Sequence, residues 1–360
     1  MRSYLDHNAT SPLRPSVKAA MLAAMELGGN ASSIHAEGRA ARKLLDDARE
    51  KLAFWLGCLP QMITFTSGGT EANNMALRGL DVQRVVVSAV EHSSVLAAAE
   101  ASGKTFEVIP VDHNGVLRRD LLQKMLCGTR ALVSVMLANN ETGVIQPISE
   151  IAAVVHATGA LLHVDAVQAV GKQQVNFGVL GCDLLSVGAH KVGGPTGIGA
   201  LVIRDGLAIE PLVHGGGQEL RRRAGTENIA NIAGFAALAE EPLLVSTQLR
   251  DKLEMALPDA VIFGAGAERL PNTSCLALFG FSAESLLMKY DLDGIAVSSG
   301  SACSSGKVAS SHVLAAMGVT LTQAKSAIRV SLGWNSTEAD IMHFITTTQH
   351  YIAQKKAKAA

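Results

Sequence analysis

The 360-residue chain is 48% hydrophobic and 18% charged, which suits a folded protein with a substantial core and excludes a disordered one. Its 31 basic and 32 acidic side chains leave a net charge of −1, so no global attraction to nucleic acid or an anionic membrane is expected. No apolar run reaches the roughly 18 residues needed to span a bilayer, and Met1 to Asn8 forms no hydrophobic signal segment, so a cytoplasmic protein is expected.

Along the chain, helix-like and strand-like segments alternate, the pattern of an α/β protein. Ala36 to Leu56 has helical spacing, with Leu44, Leu45, Ala48, Leu52 and Trp55 on one side. Ile63 to Thr66 reads as a strand and Glu71 to Leu80 as a helix. Arg84 to Ser88, Thr105 to Ile109 and Ala131 to Leu137 are further predicted strands, and Gly199 to Ile203 is expected along a sheet edge. A long helical stretch is expected from about Asn228 to Leu257, with a smaller α+β unit beginning near Asn272. No repeat or low-complexity linker marks a boundary. The division adopted is a large domain over 15–257 and a small one made of 1–14 and 258–360.

The segment from His163 to Lys191 carries the main chemical signal. Leu161-Leu162-His163-Val164-Asp165 and Asp183-Leu184-Leu185-Ser186-Val187-Gly188-Ala189-His190-Lys191 are apolar runs that end in polar groups. Parallel sheets present ligand sites at such ends. A carboxylate there can keep a pyridinium nitrogen protonated, and a lysine can carry pyridoxal 5'-phosphate as a Schiff base. Taken singly, Asp165 reads as a strand cap and Lys191 as a surface lysine. Ser67-Gly68-Gly69-Thr70 joins a strand to a helix and suits either a phosphate, on free amides and the Thr70 hydroxyl, or an ordinary helix cap. His92 follows the Val85–Ser88 run and can stack on a ring and move protons, or simply bond within a loop. Asn139-Asn140 can donate to a cofactor oxygen or satisfy a turn.

The five cysteines are odd in number and contain no Cys-x-x-Cys pair, so neither a disulfide framework nor a metal site is expected. Four sit among apolar or Gly/Pro neighbours. Cys303 instead lies in a Ser/Gly loop, Ser298-Ser299-Gly300-Ser301-Ala302-Cys303-Ser304-Ser305-Gly306, a setting that favours a reactive thiolate.

These segments resemble the cysteine desulfurases of the NifS/IscS type, within the fold-type I pyridoxal phosphate enzymes. The resemblance rests on Tyr4 to Thr10, Phe65 to Asn74, Glu91 to Val95, Asn139 to Gly143, His163 to Gln168, His190-Lys191, Arg223 to Asn228 and the Cys303 loop. It implies a mostly parallel seven-stranded sheet flanked by helices, plus a smaller α+β domain. It further implies that Lys191 holds the cofactor, Asp165 its ring nitrogen, Gln168 and Asn140 its ring oxygen, and His92 its ring face. Gly69, Thr70 and His190 fall in the phosphate motifs, with Thr226 reaching over from the second subunit of a homodimer. Arg329, together with Asn140, would receive the carboxylate of L-cysteine. Cys303 would take its sulfur as a persulfide, with alanine as the other product.

The implied sulfur acceptor is a protein, an iron–sulfur scaffold being one candidate, although the chain ends soon after its last predicted helix, without the tail some relatives use for that contact. Selenocysteine lyase chemistry and a catalytically silent sulfur-transfer subunit are the alternative readings. Three departures stand out: Gly188 where many relatives carry serine, Trp334 where arginine is common, and the run Glu219-Leu220-Arg221-Arg222-Arg223, read as a docking surface or a solvated loop.

Overall fold

Short runs of β-branched and leucine residues make up the centre of the molecule. The computed structural model describes residues 2–126, 130–242, 247–278, 280–299 and 311–359. After β1 (Ser3–Tyr4) come β2 (Ile63–Thr66), β3 (Arg84–Ser88), β4 (Thr105–Ile109), β5 (Ala131–Met136), β6 (Leu161–Asp165), β7 (Leu184–Gly188) and β8 (Gly199–Ile203). The last seven form one sheet in the order β2-β8-β7-β6-β5-β3-β4. β4, β3, β5, β6 and β7 run parallel, and β8 is antiparallel to β7 and β2.

The helices follow from those directions. Parallel neighbours need a crossover, and crossovers are usually helical. α1 (Pro15–Leu27) and α2 (Ala36–Leu56) precede the sheet; α3 (Gly69–Arg78), α4 (Ser93–Glu100), α5 (Arg119–Met125), α6 (Ile148–His156) and α7 (Phe177–Leu180) lie in the connections from β2 through to β7. The sheet is apolar on both faces. Val86, Val133, Leu162 and Leu185 pack with Leu45 and Leu52 of α2, whereas Val85, Leu132, Leu161 and Leu184 pack with Met75 of α3 and Val95 of α4. Successive residues point to opposite faces, so two-sided burial requires uninterrupted apolar runs.

Two expectations are corrected. Gly199–Ile203 is not an edge strand: it lies between β7 and β2, and all five residues are buried. Only the stretch Ala189 to Ile198 separates it from β7, too short for a crossover, so it returns antiparallel. The stretch from Asn228 to Leu257 is not one helix either. α8 (Ile229–Ala237) tightens into a 3₁₀ turn over Leu238–Glu240, and α9 (Thr247–Met255) begins after Pro242. Proline fixes φ and disfavours helical geometry in the residue before it.

A second, smaller sheet is antiparallel, in the order β12 (Ser298–Ser299), β13 (Ala327–Ser331), β10 (Thr273–Ala277), β9 (Val261–Ile262). β1 pairs instead with β11 (Ile295–Ala296), in parallel. α10 (Ala283–Leu292), α11 (His312–Ala316), α12 (Leu321–Ala324) and α13 (Glu338–Ala359) complete this part. Leu253 and Leu257 share its apolar cluster with Leu5, Leu276, Tyr290, Ile328 and Phe344. Among the described residues no helix is long and apolar enough to cross a membrane, and no group of three or more His, Cys, Asp or Glu side chains is placed to hold a metal ion.

Candidate active site

The site begins where β2 turns into α3. Gly68 has φ +152°, a conformation that side chains other than hydrogen rarely allow. A Cβ on Gly69 would come within 2.5 Å of Val167 Cγ2. The two glycines therefore let the first turn of α3 approach the end of β6. Free amides of that turn, at the positive end of the helix dipole, face a cavity of about 370 Å³ that Gly69 and Thr70 help to line. Glu71, also in this turn, is already committed: its carboxylate accepts the Ser67 N–H at 2.7 Å and Arg223 Nε at 3.0 Å.

His92, Asn140, Asp165, Gln168, His190, Lys191 and Arg329 line the same cavity. The register Met136↔Asp165↔Ser186 puts Asp165 at the carboxyl end of a central strand, where it is buried. Its Oδ1 accepts the Val167 N–H at 3.0 Å and its Oδ2 accepts Asn73 Nδ2 at 2.8 Å. Asn73 Nδ2 also reaches Ser94 Oγ at 2.9 Å, which ties α3, α4 and β6 together around the carboxylate.

His92 is the N-cap of α4. Its Nδ1 accepts the Ser94 N–H at 3.1 Å, so the neutral ring carries its hydrogen on Nε2. Burial pushes its pKa down, Asp165 opposes this, and Lys191 and His312 add to it. His190 is likewise held neutral, pushed down to about 4 by burial and then by Lys191 and Lys172. Lys191 sits in the 3₁₀ turn His190–Val192 after β7, where its Nζ donates to the carbonyls of Asn8 at 2.8 Å and Ala9 at 2.7 Å.

Arg329 enters from β13. Its Nη1 donates to the Asn140 carbonyl at 3.0 Å and its Nη2 to Asp6 Oδ1 at 2.8 Å, while its buried Nε has no hydrogen-bond partner among the described residues. A planar cation fixed at both ends in this way suits a carboxylate ligand.

Two predicted residues are placed differently. Cys303 lies outside the described residues. Thr226 is exposed and borders a separate hollow of about 220 Å³ with Ser67, Arg223 and Glu227, so it does not join its own chain's cavity. The basic run is only partly solvated. Glu219 is buried, and its carboxylate holds Arg49 through two nitrogens at 2.8 and 2.9 Å and the Phe65 N–H at 2.8 Å. Those bonds offset the strain of three successive left-handed residues, Glu219, Leu220 and Arg221. Arg222 and Arg223 bond to the Gln61 carbonyl and Glu71. A larger groove of about 710 Å³ between α1, α2 and α8 is lined half by alanines, with Lys43–Asp47 and Lys51–Glu240 paired at its rim, and has no imidazole or thiol in its lining.

Sequence reasoning missed Asn8, which links the Lys191, Gln168 and Asn140 segments of the site. Its carbonyl accepts Lys191 and Gln168, its Oδ1 accepts Lys172 and Asn272, and its Nδ2 reaches the Asn140 carbonyl and Thr273. It also missed Asp6 and Asn73. All three stood inside quoted motifs, and only their partners were hidden.

With this geometry in view, the relatives agree. The family model for class-V aminotransferases matches residues 3–344. The chain belongs to this family. Within it, the chain is 41% identical to the cysteine desulfurase IscS of Dictyoglomus turgidum, over 97% of its own length and 94% of the relative's, which places it among the cysteine desulfurases. The solved NifS-like protein of Rickettsia africae superposes with a TM-score of 0.89 at 36% identity, covering 97% of this chain and 99% of that one. A solved complex of SspA with cysteine gives a TM-score of 0.84 at 28% identity, over 93% and 100% of the two chains. Pyridoxal 5'-phosphate is the cofactor of this enzyme family. The residues present fit it: a helix N-terminus brought close by two glycines, a buried carboxylate at a strand end, and a lysine beside both, around a cavity of cofactor size.

Proposed function

We propose that this desulfurase acts on L-cysteine, forming L-alanine and leaving the sulfur on Cys303 as a persulfide for an acceptor protein. The observation that carries the reading is the convergence of Lys191, Asp165, His92 and Arg329 on one cavity floored by the start of α3. When bound, pyridoxal 5'-phosphate supplies an electron sink next to the substrate's α-carbon. Asp165 would pair with its ring nitrogen, the amides of Gly69 and Thr70 with His190 would hold its phosphate, and Gln168 and Asn140 would meet its ring oxygen. Lys191 would anchor it and, once substrate has entered, carry the α-proton on Nζ. Arg329 would orient the substrate carboxylate. His92, its ring oriented by the Ser94 N–H on Nδ1, would move the thiol proton. The Cys303 thiolate would attack the substrate sulfur, forming an S–S bond as the carbon–sulfur bond breaks towards carbon.

The functional unit in this reading is a homodimer in which Thr226 serves the neighbour's phosphate site; its exposure and its distance from its own cavity support that. The acceptor is a protein able to take sulfur from the Cys303 persulfide, an iron–sulfur scaffold being one candidate. Incubating the purified protein with cysteine tests the whole reading. Equal amounts of alanine and protein-bound persulfide are expected in the first turnover; cysteine consumed without alanine would overturn it.

A further inference from the structure

Lys172 is a lysine out of place. It is only 5% exposed, and among the described residues no carboxylate pairs with it. Its Nζ donates to Gln168 Oε1 and to Asn8 Oδ1, both at 2.7 Å. The titratable and charged groups felt around it are Lys191, Arg329, His7 and His190, all basic. Burying a cation without a partner is costly, so the position needs a reason beyond packing.

We infer that Lys172 is a positioning residue that fixes which end of the Gln168 amide faces the cavity. A short helical turn, with the N–H of Val170 bonded to the Ala166 carbonyl and that of Gln173 to the Ala169 carbonyl, sets residues 168 and 172 on one side. The lysine amine has hydrogens to give and so takes the oxygen of each amide it meets. With Oε1 held this way, Gln168 Nε2 donates one hydrogen to the Asn8 carbonyl at 3.0 Å, and its other hydrogen belongs to the cavity that Gln168 lines. Reversing the amide would set N–H groups against the lysine's own hydrogens and would turn a carbonyl towards the ligand. The same donor holds Asn8 Oδ1, which directs Asn8 Nδ2 towards the Asn140 carbonyl and Thr273. Burial, with Lys191 and Arg329 nearby, also pushes the Lys172 amine well below its usual range.

The inference rests on the proposal that Gln168 meets the ring oxygen of the cofactor, and its test separates the two. The cofactor-loaded protein and the variants Lys172→Met, Gln168→Leu, Gln168→Glu and Lys172→Met/Gln168→Leu are titrated with pH while the visible band of the bound cofactor is recorded. Cofactor retention on dialysis and thermal stability are measured alongside. Each single variant is expected to move the titration midpoint in the same direction by about one unit, with about tenfold weaker retention, and the double variant to move it no further. Gln168→Glu pairs with Lys172 and so folds, but shows the cavity only oxygen. Its midpoint tests amide polarity even if Lys172→Met does not fold, and an unmoved midpoint in it overturns the inference. A Lys172→Met protein that melts earlier but keeps the parent midpoint, while Gln168→Leu moves it, also overturns the inference and leaves Gln168's role intact. If Gln168→Leu keeps the parent midpoint as well, both readings fall.

Discussion

Asp6, just past β1, and Arg329 of β13 form an ion pair, with Nη2 at 2.8 Å from Oδ1. The other oxygen of Asp6 accepts the Ser298 hydroxyl at 2.7 Å, so the carboxylate also ties down β12. Arg329 is thereby fixed before any substrate arrives. Removing one member of a largely buried pair strands the other, and Asp6→Ala is expected to cost about 2–3 kcal/mol, read by urea unfolding. Arg329→Lys keeps the charge but loses the fork. The KM for cysteine is expected to rise by about one to two orders of magnitude with a smaller change in kcat, and an unchanged KM would remove Arg329 from the substrate's path.

Cys303→Ala separates substrate binding from sulfur transfer. The variant should still change the cofactor's absorbance on mixing with cysteine, because Lys191, Asp165 and Arg329 are untouched, yet form almost no alanine. With selenocysteine, whose selenium leaves more readily, a sizeable share of activity is expected to remain. Alanine release from cysteine at the parent rate would end the persulfide mechanism.

Shared sites can be tested by mixing. Lys191→Ala and Thr226→Val chains should each be weak alone. A heterodimer of the two has one site with the intact lysine of one chain and the intact threonine of the other, so remixing after mild dissociation should restore activity. If each chain builds its site alone, mixing restores nothing.

Acid should loosen the fold through His163. This ring is fully buried between Ser134 Oγ at 2.8 Å and Ser186 Oγ at 2.9 Å, and burial pushes its pKa down to about 3. Its unfolded value is near 6.5, so the stability it confers is complete above that pH and is lost as pH falls from 6.5 towards 3. Between pH 6.5 and 5 the loss is about 1–2 kcal/mol. Glu141, pushed up to about 7 by burial, acts in the opposite sense and loses its contribution as pH rises through 7. His163→Gln should therefore flatten the acid side of the stability profile measured by urea unfolding at several pH values.

Gly188 leaves room beside the proposed phosphate cradle. A Cβ there would lie 3.7 Å from the Gly69 amide nitrogen and 3.5 Å from Val167, ordinary contact distances. Gly188→Ser should fit and add a hydroxyl near the phosphate amides, slowing loss of the cofactor on dialysis severalfold; faster loss would show that the space is needed.

What could be read from the sequence was local. Asp165 and Lys191 each end an apolar run, and Gly68-Gly69-Thr70 joins a strand to a helix, so strand order was not needed to suspect them. Asn8 and Asp6 act through residues 140 to 331, and no pattern within ten residues of them indicates this. Lys172 resembles any other lysine until its surroundings are seen. Glu219 appeared part of a polar loop because its partner, Arg49, lies 170 residues away. The Gly199–Ile203 run carries no mark that separates an edge strand from an interior one except its unbroken apolarity, which suits the burial on both faces that the sheet order imposes.

The route of β1 has a consequence for biosynthesis. Tyr4 pairs with Ala296, and Asn8 bonds to Asn272 and Ser331, so a segment made early must wait for partners 264 to 323 residues later in the chain before it finds its place. The large sheet can form while translation continues, but the wall that holds Lys191's amine is not secured until residues 272 and 331 have been made. A ribosome stalled around residue 250 would thus display the large sheet without Arg329 and without the partners that seat Asn8 beside Lys191.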